Sequence, residues 1–115
     1  MPRVTKALAA KAKHKKVLKA TKGHYGARSR LFKTAKQSNV KAMQYAFRDR
    51  RNKKRTFRSL WISRISAALL PFEVSYSRFI NQLSKANIKL DRKSLAGIAF
   101  SDPDTFQKIV EKVRV

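Results

Sequence analysis

The sequence predicts an all-α chain, in which a long basic N-terminal helical extension leads into a small C-terminal helical domain. Three observations carry that expectation. Apolar residues in the second half recur at helical spacing, as in Phe106, Ile109, Val110 and Val113, offsets of 3, 4 and 7 along one helix face. Residues 27–70 contain neither glycine nor proline, so no backbone breaker interrupts a helix there. No alternating apolar–polar run rises to the pattern of a strand.

Charge divides the same chain. Residues 1–58 hold 20 Lys or Arg against one acid, Asp49, while residues 59–115 hold nine bases and five acids. The two parts therefore carry +19 and +4 of the total +23. Charge that one-sided repels itself and calls for a polyanion. The large apolar residues of the first part are scattered between charges: Val4, Leu8, Val17, Leu18, Leu31, Phe32, Val40, Met43 and Phe47. The expected organisation is an extended basic helical arm over 1–58, with its long helix continuing to about 70, and a compact helical domain over 59–115. A core of about 55 residues is marginal on surface-to-volume grounds, so help from a partner is expected.

The elements follow in order. Residues 5–20 are rich in Ala, Leu and Lys, good helix formers, with Thr5 placed to cap the start. This helix is basic nearly all round, which favours a sheath of phosphate over packing on protein. Gly23 suits a left-handed residue after the helix end, and Gly23 and Gly26 bracket His24 and Tyr25 in a turn. The 44 residues from 27 to 70 permit one helix of roughly 65 Å. A break near Ser38 and Asn39 is the rival, since both side chains compete for backbone hydrogen bonds. Phe57, Leu60, Trp61, Ile65, Ala68 and Leu69 give the end of this helix a buried face, and Pro71 stops it. Three shorter helices follow. Ser75 or Ser77 caps the first, which turns Phe79, Ile80, Leu83 and Ala86 inward. Asp91 caps the second, over Leu95, Ile98 and Ala99. Asp102 followed by Pro103 opens the third.

Several function classes are excluded or disfavoured. There is no cysteine, hence no disulfide framework or thiolate metal site, and a reducing compartment fits. No run of 18 apolar residues suggests a membrane span, and the basic start lacks a signal-peptide core. His14 and His24 have no ligand partners at metal spacing. Glu73, Asp91, Asp102, Asp104 and Glu111 are dispersed, without a pair spaced for acid–base work. No enzyme activity, cofactor or metal is expected.

Two segments carry the chemistry. In residues 45–64, YAFRDRRNKKRTFRSLWISR, seven of the eleven residues from 48 to 58 are Arg or Lys. Arg forks match phosphate oxygens bidentately and Lys supplies a mobile point charge. Tyr45, Phe47 and Phe57 interleave with them and stack either on unpaired bases or on Arg planes. Trp61 reads first as a core anchor, with base stacking as the alternative. Residues 22–30, KGHYGARSR, join two glycines to Arg28, Arg30 and Tyr25, but lack the Lys-Ser or Lys-Thr ending of a nucleotide-phosphate loop. This segment is either an ordinary helix–helix turn or one that also meets RNA, the second being preferred. His14 is expected among lysines on a phosphate-facing helix, and His24 to stack or donate.

With these segments in view, the chain closely resembles bacterial-type large-subunit ribosomal protein twenty, the L-twenty family, over residues 3–112. KGHYGARSR at 22–30, YAFRDRRNKKRTFRSLWISRISAA at 45–68 and SYSRFINQLSKANIKLDRKSLA at 75–96 carry the resemblance. It implies a basic helical arm threaded into 23S-type ribosomal RNA and a helical domain near ribosomal protein L-twenty-one. It also implies a part in early assembly of the large subunit and, in some bacteria, repression of the protein's own mRNA. His24 departs from the family's usual Tyr or Phe, Ser84 from a common Lys, and LLPFEV at 69–74 from a more polar, often Gly-containing connector. The implied setting is the ribosome of a bacterial cytoplasm, with an organelle-encoded version equally compatible.

The expected function is thus a structural constituent of the large subunit that binds ribosomal RNA directly. Its basic arm gains order on binding, neutralises phosphates and releases counterions. The expected RNA contacts are Lys6, Lys11, Lys13, Lys15, Lys16, Lys19, Lys22, Tyr25, Arg28, Arg30, Arg48, Arg50, Arg51, Lys53, Lys54, Arg55 and Arg58, with Arg78, Arg92 and Lys93 as a lesser face. The alternative is an architectural nucleoid DNA-binding protein, disfavoured because nothing signals the dimeric saddle such proteins use. No homo-oligomer is expected. A membrane-surface role fails because Arg58 and Arg64 interrupt the most apolar stretch.

Overall fold

The computed structural model describes residues 6–114. Among these residues five α-helices form and no strand: α1 (Ala7–Ala20), α2 (Phe32–Leu69), α3 (Tyr76–Lys85), α4 (Arg92–Ser101) and α5 (Pro103–Val113). Two 3-10 turns, Gly26–Ser29 and Leu70–Phe72, flank α2. Contacts divide the chain into two units, Met1–Arg51 and Asn52–Val115.

In the first unit, Lys6 holds the N-cap position of α1 without a side-chain cap, and the Thr5 cap expected from sequence lies outside the described residues. The helix ends on Thr21, whose hydroxyl donates to the carbonyls of Val17 (3.1 Å) and Leu18 (3.3 Å). That bonding lets a polar side chain be fully buried. Gly23 (φ +85°) and Gly26 (φ +61°) are both left-handed, the region a side chain disfavours.

One expectation is corrected here. The long helix begins at Phe32 rather than near Ala27, because the 3-10 turn at Gly26–Ser29 takes up the intervening residues. The Thr34 hydroxyl stabilises this turn from inside the helix, donating to the carbonyls of Ala27 (2.9 Å) and Leu31 (3.1 Å). From Phe32 the helix runs unbroken for 38 residues, about 57 Å at 1.5 Å per residue. Ser38 does not break it, since its hydroxyl engages His24 Nδ1 (2.6 Å) instead of the local backbone. α1 was expected to be sheathed by phosphate rather than packed on protein, and it buries none of its own residues, though it is not without contacts. Val17 and Leu18 are half-buried, Ala35 on α2 is fully buried, and the His14 ring stacks on Phe32 with centroids 3.9 Å apart. His14 thus sits on an aromatic face, not simply among lysines.

The second unit has its own core of Ile65, Leu69, Phe79, Leu83, Leu95, Ala96, Phe106, Val110 and Val113. Burial of each large apolar side chain contributes roughly 1.5–3 kcal/mol. Trp61, half-buried, packs against this cluster as an anchor. The helix of α2 stops at Leu69, and Pro71 falls in the following 3-10 turn, which closes on left-handed Glu73 (φ +55°). Ser75 has the extended backbone of an N-cap for α3, but neither it nor Ser77 caps with its side chain; their hydroxyls face each other at 3.5 Å. α3 closes instead at its other end. Asn87 (φ +54°) lets Ile88 N–H bond Leu83 C=O and Asn87 N–H bond Ser84 C=O, each at 3.1 Å. This is a Schellman closure with Asn in the glycine position. Ala86, expected on the buried face, is exposed because it is the C-cap of this closure. Asp91 caps α4 through Ser94 N–H (2.8 Å), and Asp102 caps α5 through Thr105 N–H (3.1 Å), both as expected. Ala96 joins Leu95 in the core, with Ile98 and Ala99 packed against it.

Candidate nucleic-acid interface

The cations are placed by helices that bury little else. All the expected contact residues, from Lys6 to Arg58, are solvent-exposed. So is every residue from 43 to 60, five turns of α2 on which no side chain finds a protein core. Seven Lys or Arg and one acid lie on that stretch. A free-standing helix of this kind normally mixes signs in i,i+4 pairs; this one does not.

Among the described residues one ion pair forms, Arg48 Nε to Asp49 Oδ1 at 2.9 Å. The hydrogen bond to Asp49, and then that residue's charge, push the Arg48 guanidinium above its ordinary value. Both side chains are more than half exposed, so the pair adds little stability. The remaining guanidinium and ammonium groups of 43–60 keep their donors free for an external acceptor.

The aromatic residues organise some of these cations. Arg48 lies 4.7 Å and Lys41 5.2 Å from the Tyr45 ring centre, while Arg51 and Arg50 lie 4.6 Å and 6.0 Å from that of Phe47. Spacings of three and four residues bring each pair together on the helix. Tyr45 and Phe47 thus carry Arg or Lys at their rings, one of the two stacking modes open from sequence. Phe57 leans on Trp61 instead, with centroids 6.2 Å apart.

In the turn between α1 and α2, Tyr25 is 94% exposed. His24 and Tyr25 line a cleft of about 770 Å³ together with Arg28, Gln37, Lys41 and Tyr45. Exposed Lys33 and Lys36, with Phe32 and Val40, line a second groove of about 570 Å³. Lys33, Lys36, Gln37 and Lys41 were not among the residues singled out from sequence, because that stretch is less dense in charge than 48–58; their i,i+3 and i,i+4 spacings bring them to these grooves. On the lesser face, Arg78 and Lys93 are exposed, whereas Arg92 is half-buried and donates from Nε to the Tyr76 hydroxyl at 2.8 Å. No group of three potential metal ligands occurs among the described residues. None of the described helices is long and apolar enough to cross a membrane.

Comparison with known proteins decides what these surfaces belong to. The model of the family described as ribosomal protein L20 matches residues 3–109. The chain belongs to the ribosomal protein L20 family. A relative from a Bradyrhizobium species, named large ribosomal subunit protein bL20, is 58% identical over 114 residues, covering 99% of this chain and 96% of its own. Proteins of the same name from Francisella philomiragia and Francisella tularensis subsp. novicida are each 56% identical over 114 residues, 99% of this chain and 97% of theirs. As a member of the L20 family, the chain is a structural ribosomal constituent rather than an enzyme.

Proposed function

We propose that this chain binds 23S-type ribosomal RNA of the large subunit directly, through the basic arm at 1–58, and supports early assembly of that subunit. The carrying observation is the exposure of every residue from 43 to 60, a stretch of helix with seven cations and one ion pair. Phosphates are the acceptors that match. Arg50, Arg51 and Arg55 present planar forks, Lys53 and Lys54 supply point charges, and each contact releases counterions. The cations of α1 and its following turn, from Lys6 to Arg30, add further exposed donors for phosphate.

Such an arm neutralises phosphates from RNA segments far apart in sequence and lets them pack together, which is the physical content of an assembly role. Recognition by backbone and shape is expected to dominate over base reading. The compact helical domain expected at 59–115 is the part offered to neighbouring proteins, with L-twenty-one the expected neighbour from family resemblance. A structured site in the protein's own mRNA is bound by the same surface if it mimics the ribosomal one. The working location is the ribosome in the cytoplasm.

The test is binding of the full chain to deproteinised large-subunit ribosomal RNA and to duplex DNA at matched salt. Preference for the ribosomal RNA supports the reading, and equal or greater affinity for the duplex overturns it.

A further inference from the structure

We propose that the cleft between the Tyr25 turn and α2 receives a single unpaired base of the bound RNA. This rests on the RNA-binding reading above and assigns one site within it. The cleft lies wholly within the first unit and is lined by Tyr25, Tyr45, His24, Gln37, Arg28 and Lys41, among others. Its volume of about 770 Å³ falls among pockets for small organic groups, roughly 300–1,000 Å³.

The geometry holds Tyr25 away from the protein. Gly23 and Gly26 on either side are left-handed (φ +85° and +61°), and a Cβ on either would meet no atom within 4 Å. These glycines therefore serve backbone direction and not packing. Tyr25 itself is extended (φ −70°, ψ 134°) and remains 94% exposed. An aromatic ring presented by backbone geometry, rather than buried for stability, is suited to stacking on a partner. His24 beside it is fixed by its 2.6 Å contact with Ser38, so the cleft wall is already set.

The lining chemistry narrows the occupant. No acidic residue lines the cleft, while Arg28 and Lys41 do, which favours a ligand with attached negative charge. The exposed Tyr25 ring offers a π face, and the Gln37 amide offers a donor and an acceptor. A flat heterocycle with polar edges and a flanking phosphate satisfies all three, as unstacked bases do in single-stranded RNA recognition. A phosphate alone would leave the Tyr25 ring unused. A paired base keeps its faces covered by its neighbours.

The experiment uses the full chain and deproteinised large-subunit ribosomal RNA. Affinity is measured across a salt series for the unchanged chain, Tyr25→Ala and Tyr25→Trp, and photo-crosslinked nucleotides are located by mass spectrometry. A lost stack weakens Tyr25→Ala roughly tenfold at every salt concentration, with the salt slope unchanged because no ionic contact is removed. Tyr25→Trp retains affinity, and crosslinks join Tyr25 or Tyr45 to one unpaired nucleotide. Unaltered affinity in Tyr25→Ala, failure of Tyr25→Trp to retain it, or crosslinks only to paired nucleotides overturns the proposal. If the unchanged chain binds but Tyr25→Ala is silent, only the base site fails; if the unchanged chain does not bind, the RNA-binding reading fails with it.

Discussion

His14 on α1 stacks on Phe32 at the start of α2, with ring centroids 3.9 Å apart and planes inclined by 27°. That contact ties α1 to the start of α2, and Thr21 and Ala35 in the same unit are fully buried. The first unit therefore has a small interior despite its charge.

Removing the ring tests this interior. Phe32→Ala should cost roughly 0.5–1.5 kcal/mol for the aromatic pair, beyond the lost apolar area. Hydrogen exchange checks it: the amides of Val17 to Thr21 should exchange several-fold faster, with those of α4 and α5 unchanged. Equal acceleration throughout would mean that the contact supports nothing local.

How much of this was legible in the sequence follows from the kind of force involved. Asp91 and Asp102 were readable as caps because an N-cap is a local bond with a sequence signature. The faces of Phe79 with Leu83, and of Phe106, Val110 and Val113, were readable because burial repeats every turn. Pro71 marked the end of α2 because it cannot donate to the ladder. The packing of α1 was not readable. It shows in the stacking of His14 on Phe32, a pair 18 residues apart in sequence that no local pattern signals. The 3-10 turn was hidden because Thr34 reaches back seven residues to Ala27, a bond no propensity encodes. The density of cations over 48–58 was legible as composition, and the structure leaves every residue of 43–60 exposed.

The core of the second unit supplies a stronger test. Phe79 and Phe106 are fully buried or nearly so, with centroids 5.8 Å apart. Phe106→Ala should cost roughly 3–5 kcal/mol, a large part of the stability of a small domain. Thermal melting followed by near-ultraviolet circular dichroism checks it. Loss below about 1 kcal/mol would argue that this pair is not at the centre of the core.

Two residues occupy left-handed backbone without being glycine, Glu73 (φ +55°) and Asn87 (φ +54°). Left-handed backbone costs an ordinary side chain about 1–2 kcal/mol, and less for Asn. Glu73→Gly should therefore raise stability by about 0.5–1 kcal/mol after the entropy of glycine is counted. Asn87→Ala should lower it by about 1 kcal/mol by straining the Schellman closure of α3. Denaturant midpoints give both signs; a stabilising Asn87→Ala would contradict the closure.

Acid should weaken the cap of α5. The Thr105 hydroxyl and then its amide, both hydrogen-bonded to Asp102, hold that carboxyl below the usual carboxylate range. The folded value is thus lower than the unfolded one of about 3.9. Its contribution is complete above the unfolded value and is lost as pH falls through the folded value. Asp102→Asn keeps a capping side chain but removes this titration. The variant should match the unchanged chain near pH 7 and lose less melting temperature between pH 5 and 2. Identical acid sensitivity would show that Asp102 does not contribute to it.

The central claim is that exposed arginines on α2 neutralise RNA phosphates. Its most direct measurement is the slope of log affinity against log salt for ribosomal RNA, compared between the unchanged chain and the triple substitution Arg50→Ala, Arg51→Ala, Arg55→Ala. The expected result is a steep negative slope for the unchanged chain, reduced in the triple variant by about one unit per lost phosphate contact. A shallow slope in the unchanged chain, or the same slope in both, would contradict the account.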